Sequence, residues 1–209
     1  MSIMPACGAE ATSTQRVRFV RFTPIKGRIR IEGTSNLDNW QVETKTVRGY
    51  MEVGGGFPTR PEQTVLAGPV EARVEVSIDA ASLKSIEKDG KPFSNKMDGI
   101  MEEALKARDN PKIIYRLNRL VLSGEAKAGT DPYGFQARGE LVVAGVTNEI
   151  ILPINARLMS NKQVKIWGST PLKMMSFGIE PPAPKIALGL IKTGDEVRVS
   201  FEWLLGQNP

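Results

Sequence analysis

Apolar and polar side chains alternate along much of this chain. Ile29 and Ile31 are interleaved with Arg28, Arg30 and Glu32, and Val70, Ala72, Val74, Val76 and Ile78 with Glu71, Arg73, Glu75, Ser77 and Asp79. The pattern returns at Ile113, Tyr115 and Leu117, at Phe135, Ala137, Gly139, Leu141 and Val143, and at Val197, Val199, Phe201 and Trp203. A period of two sends successive side chains to opposite faces of a strand, so each row predicts a strand with one buried and one wet face. Turn signals separate the rows: Gly54, Gly55 and Gly56; Asp89 and Gly90; Asp131 to Gly134; Ala144 to Thr147; and Thr193 to Asp195. Repeated one-sided strands joined by such turns predict an antiparallel sandwich or barrel.

One segment breaks this rhythm. Between Ser94 and Arg108, Met97, Ile100, Met101, Ala104 and Leu105 recur at intervals of three and four, with Lys96, Asp98, Glu102, Glu103 and Lys106 mostly on the other face. That spacing predicts an amphipathic helix. Ser94 is suited to be its N-cap, and Pro111 ends it by disfavouring helical geometry at Asn110. Residues 1–15 are small and polar without periodicity, which predicts a flexible tail, and no linker divides the remainder, so one domain is expected over residues 16–206.

Composition narrows the chemistry. With 209 residues, 41% of them hydrophobic, the chain can bury a sizeable core. There is no histidine, and Cys7 is the single cysteine. Serine–histidine and cysteine–histidine catalysis, histidine-ligated zinc and disulfides within one chain are therefore excluded. Asp38, Asp79 and Asp195 are the candidate carboxylates, but nothing in their spacing pairs them or builds a calcium loop, so no catalytic or metal-ligating residue is assigned. The expectation is a protein that binds and does not catalyse.

The net charge of +5 is spread along the chain. Arg16, Arg18, Arg21, Lys26, Arg28 and Arg30 form a basic run that could track phosphates, yet Arg28 and Arg30 alternate with isoleucines as an outward strand face should. No aromatic array or recognition helix accompanies them, and nucleic-acid binding is not expected. A basic rim could instead attract an anionic head group or bring peripheral contact with a membrane surface. No run of about 18 apolar residues is present to span a bilayer as a helix. No signal peptide is expected from the residues before Cys7, which reads as an unpaired thiol in the tail, with a lipoprotein anchor as the alternative.

At these same positions the sequence resembles a known family. The segment Gly33 to Trp40 (GTSNLDNW) is similar to the early "TSxLxxW" segment of the YceI-like family of bacterial barrel proteins. Further similarities follow in family order: Met101 to Ala107 with Asn110 to Tyr115, Gly139 to Thr147, Phe177 to Pro182, and Lys192 to Val197. The resemblance spans about residues 18–205. It implies a mainly β fold, an eight-stranded antiparallel lipocalin-like barrel with one inserted amphipathic helix, in a periplasmic or secreted protein. Relatives of this kind hold long isoprenoid lipids such as quinones or polyprenyl chains. No other cofactor is implied. One departure is that family members often carry histidine just before the tryptophan, where this chain has Asp38 and Asn39.

If such a lipid is held or transported here, the inward apolar rows would form the wall around it. The expected ligand-binding residues are then Val74, Val76 and Ile78 on one strand, Ile113, Tyr115 and Leu117 on another, Leu141 and Val143 on a third, and Val199, Phe201 and Trp203 on the last. Trp40, Met101, Leu105 and Phe177 would join them from the elements between. Alternation reads the same for a hollow and a packed barrel, so a filled barrel serving as an envelope interaction module is the alternative.

Overall fold

The computed structural model describes residues 18–60, 63–127, 129–159, 162–183 and 191–207. The tail, Cys7 and Arg16 lie outside the described residues. Each alternating row becomes a strand: β1 (Val20–Ser35), β2 (Trp40–Thr44), β3 (Arg48–Val53), β4 (Gly68–Val70), β5 (Ala72–Asp79), β6 (Lys84–Ile86), β7 (Lys112–Leu122), β8 (Tyr133–Val143), β9 (Val146–Met159), β10 (Gln163–Lys173) and β11 (Thr193–Gln207). One helix, α1 (Asn95–Ala104), stands between β6 and β7.

Several of these strands are pieces of one path. β2 and β3 both pair with β1 in a single register, which sets Gly33 opposite Trp40 at one end and Val20 opposite Val53 at the other. β5 pairs with β3 and β6 with β2, with a short 3-10 turn at Ala80–Ser82 between them. Taking each such path as one, every strand runs antiparallel to its sequence neighbour, and β11 returns to β1 with Arg28 opposite Glu202 and Ile29 opposite Phe201. The result is a closed eight-stranded antiparallel barrel, in which closure pairs the edges that an open sheet would leave exposed.

Local chemistry sets the turns. The β8–β9 hairpin has Val143 opposite Val146. Ala144 and Gly145 both take positive φ (51° and 82°), the handedness that matches strand twist. At the triple glycine, Gly56 (φ 81°) lets the chain fold inward. Phe57 is thereby buried with its ring stacked on Phe135, centroids 5.6 Å apart. The expected turn at Thr193 to Asp195 is instead the start of β11, where Thr193 pairs with Ser35.

The helix is shorter than its periodicity suggests. Ser94 Oγ accepts from Met97 N at 3.4 Å, as an N-cap should. Yet α1 ends at Ala104, because Lys106 takes a left-handed conformation (φ 51°) and its carbonyl accepts from Asp109 N and Asn110 N at 3.1 and 2.9 Å. Asp98 is buried and fastens the helix to the barrel, accepting from Ser85 N and Ser85 Oγ, each at 2.7 Å.

On the outer face the basic run is met by carboxylates. Arg21 reaches Glu52 at 2.8 Å, Arg30 reaches Glu43 at 2.8 Å and Arg28 reaches Glu202 at 2.6 Å. Hydrogen bonds from Arg28 and then Lys165 hold the Glu202 carboxyl below its usual range. Within the barrel, one end is solid: Phe22, Met51, Val53, Phe57, Leu122, Tyr133, Phe135, Val164, Trp203 and Leu205 form a single buried cluster. The end covered by α1 is not.

Candidate functional site

Beneath α1 the barrel encloses a cavity of about 1020 Å³. Its wall is built from inward positions of the strands: Ile29 and Ile31 of β1, Val42 of β2, Val76 and Ile78 of β5, Ile113 and Tyr115 of β7, Leu141 and Val143 of β8, Leu172 of β10, and Val197 and Val199 of β11. Met97, Ile100, Met101 and Ala104 of α1, with Leu105 just after it, form the roof, and Phe177 and Ile179 close one side after β10. The period of two that makes a strand amphipathic thus supplies a lining that is almost wholly apolar.

Of the residues expected to bind a ligand, Trp40, Val76, Ile78, Met101, Leu105, Ile113, Tyr115, Leu141, Val143, Phe177 and Val199 border this space. Val74, Leu117, Phe201 and Trp203 do not; they pack in or against the solid end. The difference in position has a simple cause. These four share a face with the wall residues but stand further along their strands, where the triple-glycine turn, Phe57 and Phe135 have filled the barrel. Ile29, Ile31, Leu172, Val197 and Ile179 belong to the lining and were not anticipated as binding residues. Ile29, Ile31 and Val197 carry the same alternation as the others, whereas Leu172 lies on a strand whose pattern Gly168, Thr170 and Pro171 obscure.

Polar groups gather at the opening. Asp38, Glu87, Lys88, Asp89 and Lys173 border it, with Lys88 facing Asp38 at 3.9 Å and Lys91 bridging to Asp89 at 2.6 Å. Two large apolar side chains stand exposed in the same rim, Leu37 (76% exposed) and Phe93 (59%). The Leu37 loop is held in place by Ser35 Oγ, which accepts from Leu37 N at 3.2 Å and Asp38 N at 3.1 Å. Trp40 is fixed at the edge of the opening by its Nε1, which donates to the Thr34 carbonyl at 3.3 Å, and by its ring, which lies over Gly33.

Tyr115 is the unusual member of the wall. Its hydroxyl is buried with no hydrogen-bond partner among the described residues, and burial pushes the phenol pKa up. The three candidate carboxylates are each engaged separately: Asp79 with Arg48, Asp38 with Lys88, and Asp195 as acceptor from Met175 N at 2.8 Å. The geometry suits the sequestration of an apolar molecule, because each buried methylene is worth about 0.8 kcal/mol while the polar rim keeps the entrance wetted.

The comparisons agree with this architecture. The family model for the YceI-like domain matches residues 9–204. Among solved structures, Burkholderia cenocepacia BcnA is similar in fold with a TM-score of 0.59 at 15% identity, over 85% of this chain and 95% of that one. A polyisoprenoid binding domain from Saccharophagus degradans, implicated in plant cell wall breakdown, gives 0.60 at 10% identity, over 90% of this chain and 98% of that one. No curated protein sequence matches the chain.

Proposed function

This chain belongs to the YceI-like domain family, and on that premise we propose that it binds and carries a long isoprenoid-like lipid inside the barrel. The observation that carries the reading is the cavity of about 1020 Å³, whose walls are predominantly apolar and whose charged side chains stand at the rim. A ligand with an extended hydrocarbon tail leaves water along its whole length on entering such a space, whereas a small polar substrate would find few partners there. The structural likeness to a polyisoprenoid binding domain supports the same class of cargo.

Sequestration without chemical change fits a binding-domain family. The family's generally periplasmic setting supports a place in the cell envelope, where lipids must cross an aqueous gap. The exposed Leu37 and Phe93 are the rim side chains that would meet a bilayer during loading.

The test is organic extraction of the natively expressed protein followed by mass spectrometry, beside a matched unrelated protein, and then uptake of a polyprenol or quinone by the delipidated protein. A stoichiometric isoprenoid supports the proposal. A blank extract together with no saturable uptake refutes it.

A further inference from the structure

The inward rows run from the cavity into the solid end without a charged residue between, yet the boundary is abrupt. Val76 pairs with Tyr115 across β5 and β7, and Tyr115 with Leu141 across β7 and β8; all three line the cavity. The next inward residues on those strands, Val74, Leu117 and Gly139, do not. Gly139 leaves room for the Tyr115 ring to lean across: a Cβ at Gly139 would lie 2.7 Å from both Cζ and the hydroxyl. The ring therefore borders the cavity while the hydroxyl at its tip is enclosed below. On the β10–β11 side Phe201 repeats the arrangement over Gly168, where a Cβ would lie 2.9 Å from Cζ, and Phe201 belongs to the solid end. Two aromatic rings, each folded over a cross-strand glycine, shut the barrel partway along.

We propose that Tyr115, backed by Phe201, is a length stop that sets how much hydrocarbon the barrel accepts. This rests on the lipid-binding reading above and gives it a chain length. At roughly 30 Å³ per non-hydrogen atom, the share of a water molecule in the liquid, a space of about 1020 Å³ holds about six to seven five-carbon units when full. The blind end orders the cargo as well: the hydrocarbon goes in first, and whatever polar head the lipid carries stays at the rim beside Lys88 and Lys173. Each unit buried before the stop contributes up to about a thousandfold in affinity, and units beyond it contribute nothing.

The experiment offers the delipidated protein an equimolar mixture of linear polyprenols of about four to ten units and reads the retained lengths by native mass spectrometry, since burial should raise affinity only up to the stop. The wild type should retain longer chains better up to about six or seven units and show no gain beyond. Y115A removes a ring larger than one five-carbon unit and should move the plateau up by about one unit, improving affinity for that longer alcohol by up to about a thousandfold. Y115L, which keeps an apolar branched side chain, gives a smaller shift in the same direction and serves if Y115A does not fold. Y115F keeps the ring and should keep the stop. A plateau that stays in place in folded Y115A and Y115L, or a wild type without any plateau, overturns the length stop while leaving lipid binding intact. Failure to retain any polyprenol of any length overturns the lipid-binding reading, and the stop with it.

Discussion

Val143→Trp and Val164→Trp make the same chemical change at two heights of the barrel, and the structure assigns them opposite outcomes. Val164, on β10, is 2% exposed and lies in the solid cluster with Trp203 and Leu205. An indole has no room there: inserting even a few extra methylenes into a packed core costs about 1–3 kcal/mol, and a bicyclic ring exceeds that. Val143, on β8, borders about 1020 Å³ of open space beside Phe177 and Leu105. The added ring gains apolar contact in that space, which offsets the desolvation of the indole N–H, so the net change should stay within ~1 kcal/mol. For a domain of this size 1 kcal/mol moves Tm by about 2–4 °C. Thermal unfolding of the delipidated proteins should therefore show Val143→Trp within ~4 °C of wild type and Val164→Trp lower by on the order of 10 °C, or not folded. Polyprenol uptake, measured on the folded proteins, should fall in Val143→Trp because the ring occupies cargo space. Equal destabilisation at the two sites would mean that the cavity is not a space the folded chain keeps open. Undiminished uptake by Val143→Trp would mean that cargo lies elsewhere.

Three further outcomes follow from the contacts. Asp98→Ala leaves the buried Ser85 N–H without its acceptor, while the Ser85 hydroxyl keeps the Ser94 carbonyl at 3.1 Å, and the loss should cost about 1–3 kcal/mol; hydrogen exchange should show α1 losing protection before the strands. Gly33→Ala places a Cβ 2.1 Å from Trp40 Cζ2, so the ring must swing away and release the Thr34 carbonyl. Its tryptophan emission should shift to the red, and an unchanged spectrum would count against the packing described. Glu202 has its folded pKa held below its unfolded value, so its pairs with Arg28 and Lys165 add stability above the unfolded value that is lost as pH falls through the folded one. Because the Arg28 and Glu202 side chains are 43% and 44% exposed, the effect is ~0–1 kcal/mol and screened by salt. The stability gap between wild type and Glu202→Gln should be present at neutral pH and close as pH drops below the ordinary carboxyl value of 4.5.

Face was legible in the sequence and height was not. Alternation identifies which side chains of a strand point inward, and at Val76, Ile113, Leu141 and Val199 that sufficed to place residues on the cavity wall. It cannot separate Val76 from Val74, since both are inward valines on β5 and only their distance from the Phe57 and Phe135 plug differs. The plug is formed by a loop whose glycines read as an ordinary turn, so nothing periodic announces that the chain there folds back into the barrel. The helix was visible from its apolar spacing, but its end was set by a lysine in left-handed geometry, a position where glycine is the usual signal. Tyr115 looked like any other wall residue. What distinguishes it is Gly139 on the neighbouring strand, an across-strand relation that only register reveals.

The pairing of β1 with β11 ties the beginning of the domain to its last fifteen residues. No contiguous stretch short of the whole can complete this sheet. During synthesis β1 can pair early with β2 and β3, but its other edge stays open until Thr193–Gln207 is available, and β10 waits for the same strand. Sequence-distant closure of this kind is slow compared with hairpin formation, and the intermediate it leaves has two unpaired edges and an unsealed apolar interior. The final strand is thus a latch, and the nascent chain that lacks it is the form most open to pairing with other chains.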